Sequence, residues 1–162
     1  MKKRNLNVKT KTVKKNILLK KSKVKKIYKA FRSKIFKILG TKSFAVGVSG
    51  GSDSLCLAYF CKLYELEFKN KIHFFIVNHN IRKESYSEAL KVKNILKTRR
   101  IQSKVLSWKG KIPKSNIQLN AREMRYSLIS EQCYKNSLGF LVIAHHKDDQ
   151  VENFLIRLFR GS

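Results

Sequence analysis

Ser49-Gly50-Gly51-Ser52-Asp53-Ser54 lies between an apolar run and a stretch of helical periodicity. Its glycines let the backbone turn tightly and come close to a phosphate. Successive N–H groups at a helix start attract an anion, and the hydroxyls of Ser49, Ser52 and Ser54 add donors. Asp53 is the misfit, because a carboxylate repels phosphate. It fits if Mg²⁺ bridges the two, since hard cations take oxygen ligands. For a generic Gly/Ser loop the alternative is an ordinary turn, with Ser52 or Asp53 capping the helix. The setting between a buried strand and an amphipathic helix favours the phosphate site. The Walker pattern GxxxxGK[ST] is absent.

Such a loop needs elements to hold it. Ser43–Val48 reads as a short buried strand that feeds the loop, and Ser54–Leu66 as the following helix. Ile72–Val77 is a second strand, with a helix over Glu84–Arg100. Ser103–Ser107 is a third strand, Lys109–Ser115 a basic loop, and Ile117–Tyr134 a helix. Phe140–Ala144 is a fourth strand and Asp148–Phe159 a last helix. This alternation predicts an α/β fold, a parallel sheet with helices on both faces. Ligands of such sheets bind beyond the carboxyl ends of the strands, where the strand order reverses. The polar clusters Ser49–Ser54, Asn78–Arg82 and His145–Asp149 all fall at predicted strand exits, which groups them into one site.

Four segments in order carry a family resemblance. SGGSDS resembles the PP-loop of the ATP pyrophosphatase superfamily. IVNHNIRKES, NIQLNAREMRYSLI and AHHKDDQVENFLIRLFRGS resemble segments of the tRNA(Ile)-lysidine synthases. The likeness runs from about Phe44 to Ser162. It implies a Rossmann-like, adenine-nucleotide-binding domain, incomplete at its C-terminal end because family members are much longer. Two positions depart from the family pattern: Asn78 stands where Asp is usual, and Asn80 where Gly is usual.

The resemblance also implies a reaction, with ATP and Mg²⁺ as cofactors and tRNA(Ile) and L-lysine as partners. A cytidine C2 oxygen attacks the α-phosphate of ATP, and a lysine amine then displaces AMP to leave lysidine. Asp149 is the first candidate for a catalytic carboxylate, as base or as Mg²⁺ ligand beside Asp53. First-turn helix stabilisation by Asp148 and Asp149 is the alternative. His145 and His146 would contact phosphate or position Asp149, and a zinc site lacks a third ligand. Arg122 would bind phosphate in a bidentate fashion. Arg125 lies on the same helical face, with a surface salt bridge to Glu123 as its plainer role. Ser49 to Ser54, Asn78 and His79 would line the ATP pocket, with Arg82 nearby. Trp108 with Lys109, Lys111 and Lys114 would stack on RNA or pack at the sheet edge. Cys56 and Cys61 are expected to pack in the core. A 2-thiocytidine synthetase-like enzyme is the runner-up, weakened by the missing CxxC. A remnant that binds nucleotide or RNA without turnover is the third reading.

Composition sets outer bounds. The 162 residues carry a formal net charge of +27, and residues 1–42 hold 17 Lys or Arg and no acid. A polyanionic partner fits that balance, although AT-rich coding produces lysine-rich chains as well. Residues 1–22 read as a disordered basic arm, with a mitochondrial presequence as the alternative. Residues 23–42 read as an amphipathic helix ending at Gly40, and residues 43–162 as the ATP-binding domain. Three cysteines without CxxC spacing argue against a disulfide framework and for a reducing compartment. No apolar run is long enough to span a membrane. The expected location is cytoplasmic, with an organelle as the alternative. An open edge on Phe140–Ala144 would be an aggregation liability.

Overall fold

Phe44–Val48 (β1) and Ile72–Asn78 (β2) are apolar at nearly every position because both faces of these strands are covered. The computed structural model describes residues 22–110 and 115–145. Its elements are α1 (Ser22–Leu39), β1, α2 (Ser52–Phe68), β2, α3 (Ser85–Thr98), β3 (Ser103–Ser107), α4 (Ile117–Lys135) and β4 (Leu141–Ile143). The expected basic arm and the expected helix over Asp148–Phe159 lie outside the described residues, apart from Ser22, which opens α1.

The four strands form one parallel sheet in the order β3-β2-β1-β4. β1 pairs with β2 from Phe44 opposite Ile72 to Val48 opposite Ile76. It pairs with β4 from Ala45 opposite Leu141 to Gly47 opposite Ile143. Alternate residues of β1 and β2 feed two cores. Phe44, Val46, Val48, Ile72, Phe74 and Ile76 pack with Ala58, Cys61 and Tyr64 of α2 and with Ala89 and Leu96 of α3. Ala45 and Phe75 face the other way, against Ile129 and Cys133 of α4. This is the expected α/β architecture with helices on both faces.

The faces follow from handedness. The chain steps from β1 to β2 to β3 in one direction, with α2 and α3 on one side. It then returns past β1 to β4, and a right-handed crossover in the reverse direction must lay its helix on the opposite side. That helix is α4. The sheet order therefore reverses between β1 and β4.

α2 has no polar face because it is sandwiched. Its inner side meets the sheet, and its outer side, Phe60 and Leu63, meets Tyr28 of α1. A shared carboxylate pins the pair: the Tyr28 hydroxyl donates to Glu67 Oε2 at 2.8 Å and Arg32 to Glu67 Oε1 at 2.8 Å. α1 ends as its sequence requires, with Gly40 at φ +55°. Cys61 is fully buried, but Cys56 is exposed, contrary to expectation. Five residues along a helix is about 140° of rotation, so when Cys61 faces the sheet Cys56 turns away. No helix among the described residues is long and apolar enough to cross a membrane.

Candidate functional site

The loop between β1 and α2 is built by two glycines and one hydroxyl. Gly50 has φ +95°, and a Cβ there would lie 2.5 Å from Val92 Cγ2 on α3. Both the backbone angle and the close helix exclude a side chain at this position. Gly51, rather than Ser52 or Asp53, takes the N-cap position, with no side-chain cap. The first N–H groups of α2 thus have no intrahelical acceptor. Asp53 is exposed in the first turn, where the helix dipole favours a carboxylate.

Ser54 is buried and works inside the loop. Its Oγ donates to the Gly51 carbonyl at 2.9 Å and accepts from Gly50 N at 3.1 Å and from Ser49 Oγ at 3.1 Å. Its one proton is thereby used to brace the turn, and Ser49 gives its own proton to Ser54 Oγ; Ser49 and Ser52 are both exposed.

Beside the loop, at the carboxyl ends of β1, β2 and β4, lies a cavity of about 470 Å³. Its walls include Gly47, Val48, Ser49 and Ser54 from β1 and the loop, Asn78, His79 and Arg82 from the β2 exit, Arg125 and Tyr126 from α4, and Ile143, Ala144 and His145 from the β4 exit. This is the point where the sheet order reverses, the expected place for a ligand. Gly47 is kept small by α4 and β4: a Cβ there would meet Ile143 Cγ2 at 3.1 Å and Ile129 Cδ1 at 3.4 Å.

Arg125 is the cation this cavity is built around. Its guanidinium lies 3.5 Å from His79 Nε2, and no carboxylate of the described residues pairs with it. Burial, with neighbouring Arg122 adding, lowers its pKa from the usual arginine value. His79 is pushed below the ordinary histidine value first by burial and then by Arg125. A neutral imidazole can accept from the guanidinium, and a half-buried cation with no counter-ion among the described residues is suited to an anion. The alternative role for Arg125, a surface salt bridge with Glu123 or its neighbours, is not seen among the described residues. Arg122, the sequence-derived candidate, instead stands over the Tyr126 ring at 5.7 Å. Position within the motif could not separate these two arginines; only the tilt of α4 over the sheet does.

At the β2 exit Asn78 is buried and bonded to Asn80 and Ser107. Arg82 pairs with Glu88 at 3.2 Å. Trp108 is half-buried with its ring lying against Gly110. Asp149, Asp148, His146, Lys111 and Lys114 lie outside the described residues. Among the described residues no group of three or more His, Cys, Asp or Glu could hold a metal.

Residues 19–162 match the family model of the PP-loop domain. The chain belongs to the PP-loop domain family. The match spans the Ser49–Ser54 turn, the segment that resembles a PP-loop. The chain is 41% identical over 118 residues to the tRNA(Ile)-lysidine synthase of Orientia tsutsugamushi (strain Boryong), covering 73% of this chain and 27% of that protein. It is 45% identical over 122 residues to the tRNA(Ile)-lysidine synthase of Wolbachia pipientis wMel, covering 73% and 28%. The chain thus spans just over a quarter of the length of these curated relatives. Among solved structures, the U34-tRNA thiolase NcsA from Methanococcus maripaludis, with its [4Fe-4S] cluster, matches with a TM-score of 0.68 at 23% identity, over 85% of this chain and 51% of that one. That likeness shows the shared PP-loop fold.

Proposed function

We propose that this chain supplies the ATP-activating part of a ligase that joins lysine to C2 of the anticodon wobble cytidine of tRNA(Ile). The observation that carries the reading is the convergence of the Ser49–Ser54 loop and Arg125, which pairs with no carboxylate of the described residues, on one cavity at the sheet's reversal point. The names of the relatives supply the substrate.

In this reading the cytidine O2 attacks the α-phosphorus of ATP. The bond to the bridging oxygen breaks and pyrophosphate leaves. The lysine amine then attacks C2, the C–O bond to AMP breaks, and the amine gives up its proton to a carboxylate, for which Asp149 is the candidate. The loop N–H groups with Ser52 would hold phosphate oxygens, as would Ser49 once its hydroxyl turned from Ser54 to the ligand, and Arg125, with Arg122 beside it, would stabilise the charge that builds at the α-phosphorus. His79 and His145 would flank the base or phosphate, and Asn78 would shape the wall behind them. Mg²⁺ suits Asp53, an exposed carboxylate of the loop in the first turn of α2. It keeps several waters and needs only one or two protein carboxylates, so Asp53, with Asp149 as a second ligand, is a sufficient donor set. When bound it would neutralise phosphate charge.

The thiolating alternative finds no cysteine cluster here. Cys56 is exposed on α2, Cys61 is buried at 0% exposure, and Cys133 lies on α4 across the sheet.

The test is incubation of the chain with Mg·ATP, tRNA(Ile) transcript and labelled lysine. Label in the tRNA together with AMP release supports the ligase reading. ATP binding with no label restricts the chain to nucleotide binding, and no ATP binding rejects the reading altogether. Asp53→Ala should weaken ATP binding with magnesium present while the unfolding temperature stays unchanged. Equal affinity in the variant would reject the metal bridge.

A further inference from the structure

We propose that Asn78 and Asn80 form a one-directional amide clasp that fixes the β2 exit against the β3 exit, making Asn78 a positioning residue for the cavity wall that carries His79. The direction is set at its far end. Asn80 Nδ2 donates to the Trp108 carbonyl at 2.6 Å, and a carbonyl can only accept. Asn80 Oδ1 must then face Asn78, which meets it with Nδ2 at 2.7 Å. The second proton of that amide points to Ser107 Oγ at 3.4 Å. Asn78 Oδ1 in turn accepts from Asn80 N at 3.0 Å. The main chain closes the same junction, with Trp108 N donating to the Asn78 carbonyl at 2.9 Å.

Two consequences follow. Asn78 is 2% exposed and both its amide protons are directed within the protein, so its part in the site is to hold rather than to touch a ligand. The pair is also chemically coupled. A carboxylate at 78 has no proton to give, and would set one oxygen against Asn80 Oδ1 in a buried place. Asn80 sits at φ +53°, a conformation that Gly takes freely and Asn tolerates better than most residues. An acid at 78 therefore suits a residue at 80 that carries no side-chain oxygen, and the amide at 78 suits Asn80.

The experiment compares wild type with Asn78→Asp, Asn78→Leu, Asn80→Gly and the double variant N78D/N80G. Unfolding temperature and Mg·ATP affinity are measured at pH 8 and pH 5. Asn78→Asp should unfold about 5 °C lower at pH 8, as loss of a buried hydrogen bond in a domain of this size does. Its ATP affinity should fall about tenfold. Both deficits should shrink at pH 5, because a buried carboxyl facing an acceptor titrates high and its protonated form restores the missing donor. Asn78→Leu cannot be rescued by acid, and N78D/N80G should recover at pH 8. The other ionisable groups of the described residues at this cavity are His79, Arg82, Glu88, Arg125, Tyr126 and His145; they are common to all variants, so differences from wild type isolate position 78.

A deficit in Asn78→Asp that is equal at both pH values, or deficits of N78D and N80G that simply add, would overturn the clasp. Unchanged ATP affinity in a folded Asn78→Asp variant would overturn its positioning role. Should Asn78→Asp not fold at pH 8, folding of the double variant there supports the clasp and its failure refutes it. The ATP readout alone rests on the function proposed above. If wild type binds no ATP, that function fails, while the unfolding profile still judges the clasp.

Discussion

At the scale of single residues, the site contrasts polar groups held within the protein with a cation that faces the cavity. Ser54 spends its hydroxyl on the turn, and Asn78 spends its amide on Asn80. Arg125 meets a neutral imidazole and pairs with no carboxylate of the described residues. Replacing Arg125 by Ala should cost ATP affinity about 10- to 100-fold, the worth of a charge-assisted hydrogen bond to phosphate; titration calorimetry reads it directly. The same change should raise the His79 pKa, which imidazole NMR can follow, because one of the two causes of its depression is removed. The sign for stability is definite. His79 titrates lower in the folded than in the unfolded chain, so the unfolded chain binds more protons in between. Its contribution to stability is therefore lost as pH falls from the ordinary histidine value towards the folded one, and Arg125→Ala should narrow that acid-labile window.

At the scale of elements, the strands and their exits could be read from the chain, and the contacts between exits could not. Apolar runs of five to seven residues bounded by polar turns announce strands buried on both faces. The SGGSDS turn announces its own bend. The Asn78–Asn80 junction depends on Trp108, some thirty residues away, and no local pattern encodes that meeting. The same holds for Cys56, whose exposure is decided by how α2 is rolled between α1 and the sheet, and for the choice of Arg125 over Arg122. Gly50 belongs to this scale too, since its neighbour is a side chain of α3. Gly50→Ala should destabilise the fold by about 2 kcal/mol or more, from left-handed strain plus overlap, as measured by chemical denaturation. Adding Val92→Ala should return the overlap part and leave the strain. A double variant no better than Gly50→Ala would show that the backbone angle alone matters.

At the scale of the whole molecule, charge is the dominant quantity. α1 carries Lys23, Lys25, Lys26, Lys29, Lys34 and Lys37, all exposed, and no acid. If the partner is tRNA, affinity should fall linearly with salt on a logarithmic scale, with a slope of about −0.7 to −0.9 per phosphate neutralised. Filter binding between low and physiological salt measures it. A flat salt dependence would mean that the lysines reflect composition and take no part in recognition.

The reversal of strand order also sets when the site can exist. β1, α2, β2, α3 and β3 are contiguous in the chain and can pair from neighbour to neighbour as they are made. β4 closes against β1 only after the whole of that unit and α4 has been threaded back, from Ala45 to Leu141, and contacts so distant in sequence form late. Gly47, His79 and Arg125 come together once α4 packs back across the sheet, and Ile143, Ala144 and His145 complete the cavity when that last strand is seated. A partly folded chain can therefore own a finished phosphate turn without owning a pocket, and nucleotide would reward completion of the fold rather than begin it.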